Sequence, residues 1–439
     1  MINRLMRYFL PKIIPVLLLG LLVYGGGCDG SNRKSPSDPG VITVSNTKSW
    51  SIGAEFYGQN YWDWAYTGIK GTETVMANLR VNVYRAGGTT LDRQENSHLW
   101  TTAQVDDYIA YCRAINAEPL LTVPVIRGNT QEAAAMVNYC NIQKNYHVKY
   151  WIIGNEPEFY SQYIRETYTI NDYVAVFKNY VAAMKQVDPS IKIMGPEVAN
   201  EAWMAPFLSQ CANLVDIVSF HYYPFGNRGD FTITKVVNDE SLRGRIFQIR
   251  QTVDTYCGSG KPIALTETHS SWSDVMGEPA AAETFYSGLW VANAIGISLQ
   301  GKLWTVALWG TNGGYGTGFL DAWANNQPRP AYYAMQMFTT HFGNRVIGAS
   351  SRPELAVYAS RNQTDNRTVL IVINKSNANW EQTVRFTNFK TPLSDRQYTF
   401  PAYSLTCLAI PDDGSPMDCW SYTKDLADRG SPPAWQSVK

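Results

Sequence analysis

Beyond residue 40 the chain repeats one pattern: a short apolar run, then a longer segment with apolar residues at helical spacing. The runs are Ile52–Gln59, Asn78–Ala86, Pro119–Val125, Tyr150–Asn155, Ile191–Pro196, Ile217–Tyr222, Ile263–Glu267 and Leu303–Trp309. Most lack strict alternation, as parallel strands buried on both faces require. Between them, Val105–Ile115, Gln131–Asn141, Asp172–Val187, Leu242–Tyr256, Glu283–Leu299 and Tyr332–Phe342 read as helices. Asn171 or Asp172 is placed to cap the Asp172–Val187 helix, and Asp188-Pro189 to end it. Eight strand–helix repeats predict an α/β fold of the (β/α)8 TIM-barrel kind rather than an open doubly wound sheet. No glycine-rich phosphate loop follows the first strand, which counts against a nucleotide site. The glycine-rich stretch Gly310–Gly318 is predicted to form a loop over the barrel mouth.

From Asn344 the texture changes. Leu355–Ser360, Thr368–Asn374, Thr383–Phe389 and Tyr398–Ile410 are β-branched or aromatic runs separated by polar turns, the pattern of an antiparallel β-sandwich. Val41–Ser45 can pair with it, and Pro411–Lys439 shows no readable pattern. The layout expected is an export signal (1–27), a flexible tether (28–40), a catalytic barrel (41–343), and a sandwich with a tail (344–439).

Composition narrows the function classes. The 37 basic and 37 acidic side chains cancel. Arg4, Arg7 and Lys12 all lie in the first 27 residues, so the remainder is mildly acidic and has no electrostatic footprint for nucleic acid. The 14 Trp and 27 Tyr suit either a large aromatic core or platforms for stacking sugars. The three basic residues precede the apolar run Ile13–Val23, too short for a comfortable membrane span, and then Gly25-Gly26-Gly27-Cys28. A small residue before a Cys is what lipoprotein processing needs. Cys28 is therefore the expected lipidation site, which makes the protein an exported envelope lipoprotein or, failing that, a secreted protein. Any membrane contact would run through that lipid alone. Cys112, Cys140, Cys211, Cys257, Cys407 and Cys419 are compatible with disulfides or with free buried thiols. None falls in a CxxC or His-rich cluster of the kind that binds zinc.

Two strand ends carry a glutamate in a distinctive setting: Gly154-Asn155-Glu156-Pro157 after the fourth strand, and Thr266-Glu267-Thr268-His269 at the seventh. A carboxylate at the end of a buried apolar strand is costly to desolvate without a purpose. Cleaving a glycosidic bond takes one carboxylic acid to protonate the leaving oxygen and one carboxylate to attack the anomeric carbon. With His221-Tyr222-Tyr223-Pro224 at the sixth strand end, Trp309 at the eighth and a sandwich strand Pro401–Thr406, the chain resembles clan A of the glycoside hydrolases. That clan includes endoglucanase/xyloglucanase, β-xylosidase and arabinofuranosidase families.

The resemblance implies that Glu156 is the acid/base and Glu267 the nucleophile. It implies that Asn155 bonds the sugar 2-hydroxyl, and that His221 and Tyr223 orient the glutamates. Arg85 would support the nucleophile and Trp309 would floor the reacting sugar. It implies a retaining hydrolase of polysaccharide or oligosaccharide, with no cofactor or metal. A carbohydrate-binding lipoprotein without turnover and an exopolysaccharide-processing component are the alternatives. Glu158 is a rival to Glu156; Glu197 and Glu55 can bind substrate or satisfy Arg85. Trp62, Trp64, Trp203, Trp272 and Trp323 can stack on sugars or simply pack.

Overall fold

The computed structural model describes residues 40–438 other than 62–67, 93–99, 227–228, 230, 274–275, 314–317, 363 and 365. The expected signal, tether and Cys28, together with Trp62 and Trp64, lie outside the described residues. Residues 39–439 form one unit. Its first strand, β1 (Gly40–Ser51), joins the C-terminal sheet, parallel to one of its strands and antiparallel to another.

The next eight strands close a barrel: β2 (Tyr57–Tyr61), β3 (Val83–Ala86), β4 (Glu118–Val123), β5 (Tyr150–Ile153), β6 (Lys192–Val198), β7 (Ile217–Tyr222), β8 (Ile263–Thr268) and β9 (Thr305–Leu308). Neighbours are parallel throughout, and β2 pairs with β9 to seal the ring. Each predicted run holds or overlaps one of these strands. Both faces are buried, which is why their sequences read as runs: Trp151 and Ile153 pack outward on helices while Ile152 packs inward. The helix predicted from Asp172 starts earlier, at Ile170–Val187. Thr169 caps it by accepting from the Asp172 amide, while the Asp172 carboxylate accepts the Thr169 amide at 2.8 Å. That reciprocal capping box uses Asp172 as its third residue rather than as the cap itself.

Inside the barrel the side chains form two layers. Leu120, Ile152, Met194, Ile217 and Ala264 fill the end where strands begin. Asn60, Arg85, Glu197, His221, Thr266 and Glu267 fill the end where strands finish, all nearly or fully buried. Two β-bulges make this polar layer possible. On β6, Pro196 faces Ser219 and Val198 faces Phe220, so Glu197 is the extra residue, at φ 60°. On β8, Leu265 faces Phe220 and Glu267 faces His221, so Thr266 is extra. Strict alternation would turn one of Thr266 and Glu267 outward; the bulge lets both face the axis. Beyond β9, the short strands β10 (Asn312–Gly313), β11 (Leu320–Asp321) and β12 (Gln327–Pro328) form a small sheet of their own.

The C-terminal sheet adds β13 (Arg345–Ala349), β14 (Leu355–Asn362), β15 (Arg367–Asn374), β16 (Trp380–Thr387), β17 (Arg396–Phe400), β18 (Ser404–Pro411), β19 (Met417–Thr423) and β20 (Ala434–Val438). Their order is β17-β16-β1-β13-β14-β15-β18-β19-β20, mostly antiparallel. One face lies on the barrel: Cys407 and Ala409 join the main core, and Tyr358 Oη donates to Asn293 Oδ1 at 2.7 Å. The other face encloses a second core containing Val357, Leu370, Val384, Phe400 and Leu408. The sheet curls far enough that Tyr398 of β17 meets Cys419 of β19 at 2.8 Å, so the predicted sandwich is one sheet folded over its own core. The stretch read as patternless supplies β19 and β20. All six described cysteines are free thiols.

Candidate active site

The geometry is organised by Arg85, wholly buried at the end of β3. Its Nη1 donates to Asn60 Oδ1 and to Glu267 Oε1, both at 2.8 Å. Its Nη2 donates to Asn155 Oδ1 at 2.7 Å and to Glu197 Oε2 at 3.0 Å. Burial alone would weaken the guanidinium's hold on its proton, but the charges of Glu197 and Glu267 more than offset it. Asn60 is fixed in turn by donating to the backbone carbonyls of Thr266 and Ala307.

His221 is the second hub. Its Nδ1 lies 3.0 Å from Glu156 Oε1 and its Nε2 3.1 Å from Glu197 Oε2, with Glu267 Oε2 at 3.7 Å from Nδ1. Burial opposes the charged ring, yet Glu267, Glu156 and Glu197 raise its pKa to about 10. With a carboxylate at each nitrogen, both ring nitrogens are placed to donate, as an imidazolium does. Glu197 is the counterpart. Burial would raise it, but Arg85 and His221 hold it down to about 2, and Thr266 Oγ1 donates to its other oxygen at 3.0 Å.

Glu267 receives Arg85 on one oxygen and Tyr223 Oη, at 3.1 Å, on the other. Burial and the charge of Glu267 keep that phenol protonated far above its usual range. Glu156 follows β5 in the left-handed region, at φ 50°, and its amide donates to the Glu197 carbonyl at 2.9 Å. The turn begins at Gly154, at φ 75°, where a Cβ would lie 2.5 Å from the Tyr160 hydroxyl; only glycine fits. Glu156, His221 and Glu267 each offer one ligand atom within 4.8 Å of the others. That spacing alone would suit a divalent ion, and the same His221 nitrogens face Glu156 and Glu197 at hydrogen-bond distance.

The structure therefore gathers Asn155, Glu156, Arg85, His221, Tyr223 and Glu267. Trp309 follows β9 half-buried, its amide donating to the Thr268 carbonyl and its ring lying against Gly88 after β3. The other candidates separate. Glu158 turns to the loop after β6, accepting the Ala199 and Asn200 amides, and burial with the charge of Glu156 lifts it to about 7. Glu55 accepts from Tyr150 Oη at 2.8 Å, near the start of β5 and away from Arg85. Trp203 is half-buried, whereas Trp272 and Trp323 are largely exposed. Asn60 and Thr266 escaped the sequence reading; the polar pair Gln59-Asn60 at a strand end was the available signal.

Against known proteins, the sequence model described as glycosyl hydrolases family 39 matches residues 138–387. The chain is similar to an intracellular exo-α-(1→5)-L-arabinofuranosidase of Acetivibrio thermocellus, 23% identical over 34% of this chain and 33% of that one. It is also similar to heparanase of Rattus norvegicus, 24% identical over 54% of this chain and 46% of that one. The chain thus spans about a third to a half of the length of these relatives. Among solved structures it is similar in fold to CelM2, a bifunctional glucanase-xylanase from a metagenome library: TM-score 0.68, 18% identity, 85% of this chain and 99% of that one. An α-L-arabinofuranosidase from Thermotoga maritima gives TM-score 0.66 at 17% identity, with 85% and 98% covered.

Proposed function

The chain belongs to glycosyl hydrolases family 39, and from that premise we propose that it is a retaining glycoside hydrolase of polysaccharide or oligosaccharide. The observation that carries the reading is the spacing of the two glutamates. Their facing oxygens lie within 4.8 Å, close to the separation of about 5–5.5 Å that a direct attack needs. A gap of roughly 6.5–9.5 Å, with space for a water, belongs to inverting enzymes.

The hydrogen bonds support a division of roles. Glu267 holds a guanidinium and a phenol, so it is the carboxylate that attacks the anomeric carbon as the glycosidic C–O bond breaks. Glu156, whose carboxylate among the described residues is hydrogen-bonded by His221 alone, gives its proton to the departing oxygen. It then takes one from the water that cleaves the ester between Glu267 and the sugar. Asn155 Nδ2 is buried with no hydrogen-bond partner while its Oδ1 is held by Arg85, which leaves a fixed donor for a sugar hydroxyl. From Arg4–Cys28 we further propose export and lipid attachment at Cys28.

The test uses 4-nitrophenyl glycosides of arabinofuranose, xylose and glucose, sugars that the relatives' names bring forward. The wild-type chain should release nitrophenol from at least one, and Glu267→Ala should not. Added azide should restore turnover and give a glycosyl azide of inverted configuration. Near-native turnover by Glu267→Ala would move the nucleophile elsewhere, and failure of the wild-type chain on both aryl glycosides and polysaccharides would leave a binding protein.

A further inference from the structure

Behind the turn that carries Glu156 lies a buried chain of hydrogen bonds that the reaction above does not use. Asp92, wholly buried in the loop after β3, accepts the amides of Val125 at 2.6 Å and Ile126 at 2.7 Å through Oδ1. Its Oδ2 accepts the hydroxyl of Tyr160. The same hydroxyl oxygen accepts the amide of Asn155 at 3.0 Å. One carboxylate thus ties the loops after β3, β4 and β5 together, and its last link ends on the residue next to Glu156.

We propose that Asp92 and Tyr160 are positioning residues, setting the aim of Glu156 through the backbone of Asn155; the inference rests on Glu156 being the acid/base. Three arguments support it. First, Glu156 itself is held at positive φ, a strained conformation for a non-glycine residue, and such backbone persists only where its surroundings over-determine it. Second, the Tyr160 hydroxyl sits where a Cβ on Gly154 would fall, so the phenol and the turn are shaped to one another. Third, Asp92 fixes the sense of the chain. Accepting only, it takes the Tyr160 proton, which leaves the phenol oxygen's lone pair for the Asn155 amide. An amide at residue 92 would donate instead, and Tyr160 would lose its acceptor. Tyr168, packed edge-on at 5.2 Å between ring centroids, shields the link.

This role predicts a selectivity that general destabilisation does not give. A misplaced proton donor costs most where the leaving group needs a proton. It costs little where the leaving group departs as a stable anion. With Tyr160→Phe and Asp92→Asn, kcat on a natural oligosaccharide or an alkyl glycoside should fall by about 100-fold. On the 2,4-dinitrophenyl glycoside of the same sugar, formation of the glycosyl-enzyme, read as the burst, should change by less than about 3-fold, and KM should hold for both substrates. Rescue by formate, a small diffusible acid, should be larger in the variants than in wild type.

Equal losses on the two leaving groups, or no loss on either, would overturn the proposal. A crystal structure of Tyr160→Phe provides the readout independent of activity. The Asn155–Glu156 turn should shift relative to His221. A turn unmoved there would overturn the positioning role even if the wild-type chain cleaved no glycoside and the functional reading itself had failed.

Discussion

The most exposed consequence of the site's electrostatics is a loss of stability in mild alkali. His221 is buried among Glu156, Glu197 and Glu267, with Arg85 and the Tyr223 phenol beyond them. Those carboxylates lift its pKa from the ordinary 6.5 to about 10. A group whose pKa is raised by folding contributes stability that is complete below its unfolded value and lost as pH climbs toward the folded one. Each pH unit inside that window costs about 1.4 kcal/mol.

The window from pH 7 to 8 reads this ring most directly. Glu197, lowered to about 2, contributes in full above pH 4.5, and His269, lowered to about 3, contributes in full above 6.5. Asp92, raised to about 6, has nearly finished its loss by then, whereas Glu158, raised to about 7, is half-way through and adds a further ~0.4 kcal/mol as pH climbs. A thiol titrates at about 8.5 in the unfolded chain, so the buried cysteines, whose pKa values are raised, add losses of their own above about pH 8, and phenols follow above about 9. On account of His221, unfolding free energy should therefore drop by about 1.4 kcal/mol between pH 7 and 8, a measurable part of the ~5–15 kcal/mol of a typical domain. Urea denaturation at half-unit intervals reads the slope. Selective 15N-histidine labelling reads its origin, since His221 should remain doubly protonated at pH 8.5. A flat stability profile, or a neutral imidazole at pH 8, would refute the charge assignment at the centre of the site.

Arg85→Met should destabilise the fold by about 3–5 kcal/mol, because Glu197 and Glu267 are left buried without their cation. Adding Glu197→Gln to it should return part of that in a double-mutant cycle, and strict additivity would show that the pair is not coupled. At the barrel–sheet contact, a side chain on Gly296 would meet the Tyr358 ring, which the bond to Asn293 holds in place. Gly296→Val should lower the urea midpoint because an overpacking cost of about 1–3 kcal/mol exceeds the helix-propensity gain of well under 1 kcal/mol. A raised midpoint would mean that the interface gives. Finally, mass spectrometry of full-length protein from a bacterial membrane should find acyl chains on Cys28, lost in Cys28→Ala, with hydrolysis unchanged in a chain beginning at Val41. An unlabelled wild type would mean a plain secretion signal.

The barrel was legible because burial on both faces writes itself into sequence as apolar runs such as Trp151–Ile153, interrupted by helices. The strand ends were legible for the opposite reason: Glu156 and Glu267 are polar groups where apolar ones are cheaper. What stayed hidden depends on pairing across strands. The bulges at Glu197 and Thr266 insert one residue against a partner hundreds of atoms away, and no local period records that. The strand β20 was missed because its residues, including Trp435, are almost all exposed, and β19 because its alternation of buried and half-buried residues is short and breaks after Trp420. The cap at Thr169 was missed because Asp172 is as good a cap by type as it is a third residue by position.

The bulges and the charge pattern are one arrangement. Arg85 can reach Glu267 only if residue 267 faces the axis, and it faces the axis only because Thr266 is extra. Thr266 then donates to Glu197, which faces inward because it too is the extra residue of its strand. Glu197 in turn holds both Arg85 and His221, so the two cations are anchored to a carboxylate that does no chemistry. The remaining donors are thereby distributed unequally. Glu267 has Arg85 and Tyr223, whereas Glu156 has one nitrogen of His221. On the proposed mechanism, two glutamates of the same residue type acquire different tasks from that inequality. It follows that Glu197→Gln, which leaves both of them untouched, should blur the difference: both cations would lose their anchor, and the leaving-group dependence of hydrolysis should steepen although no reacting atom has changed.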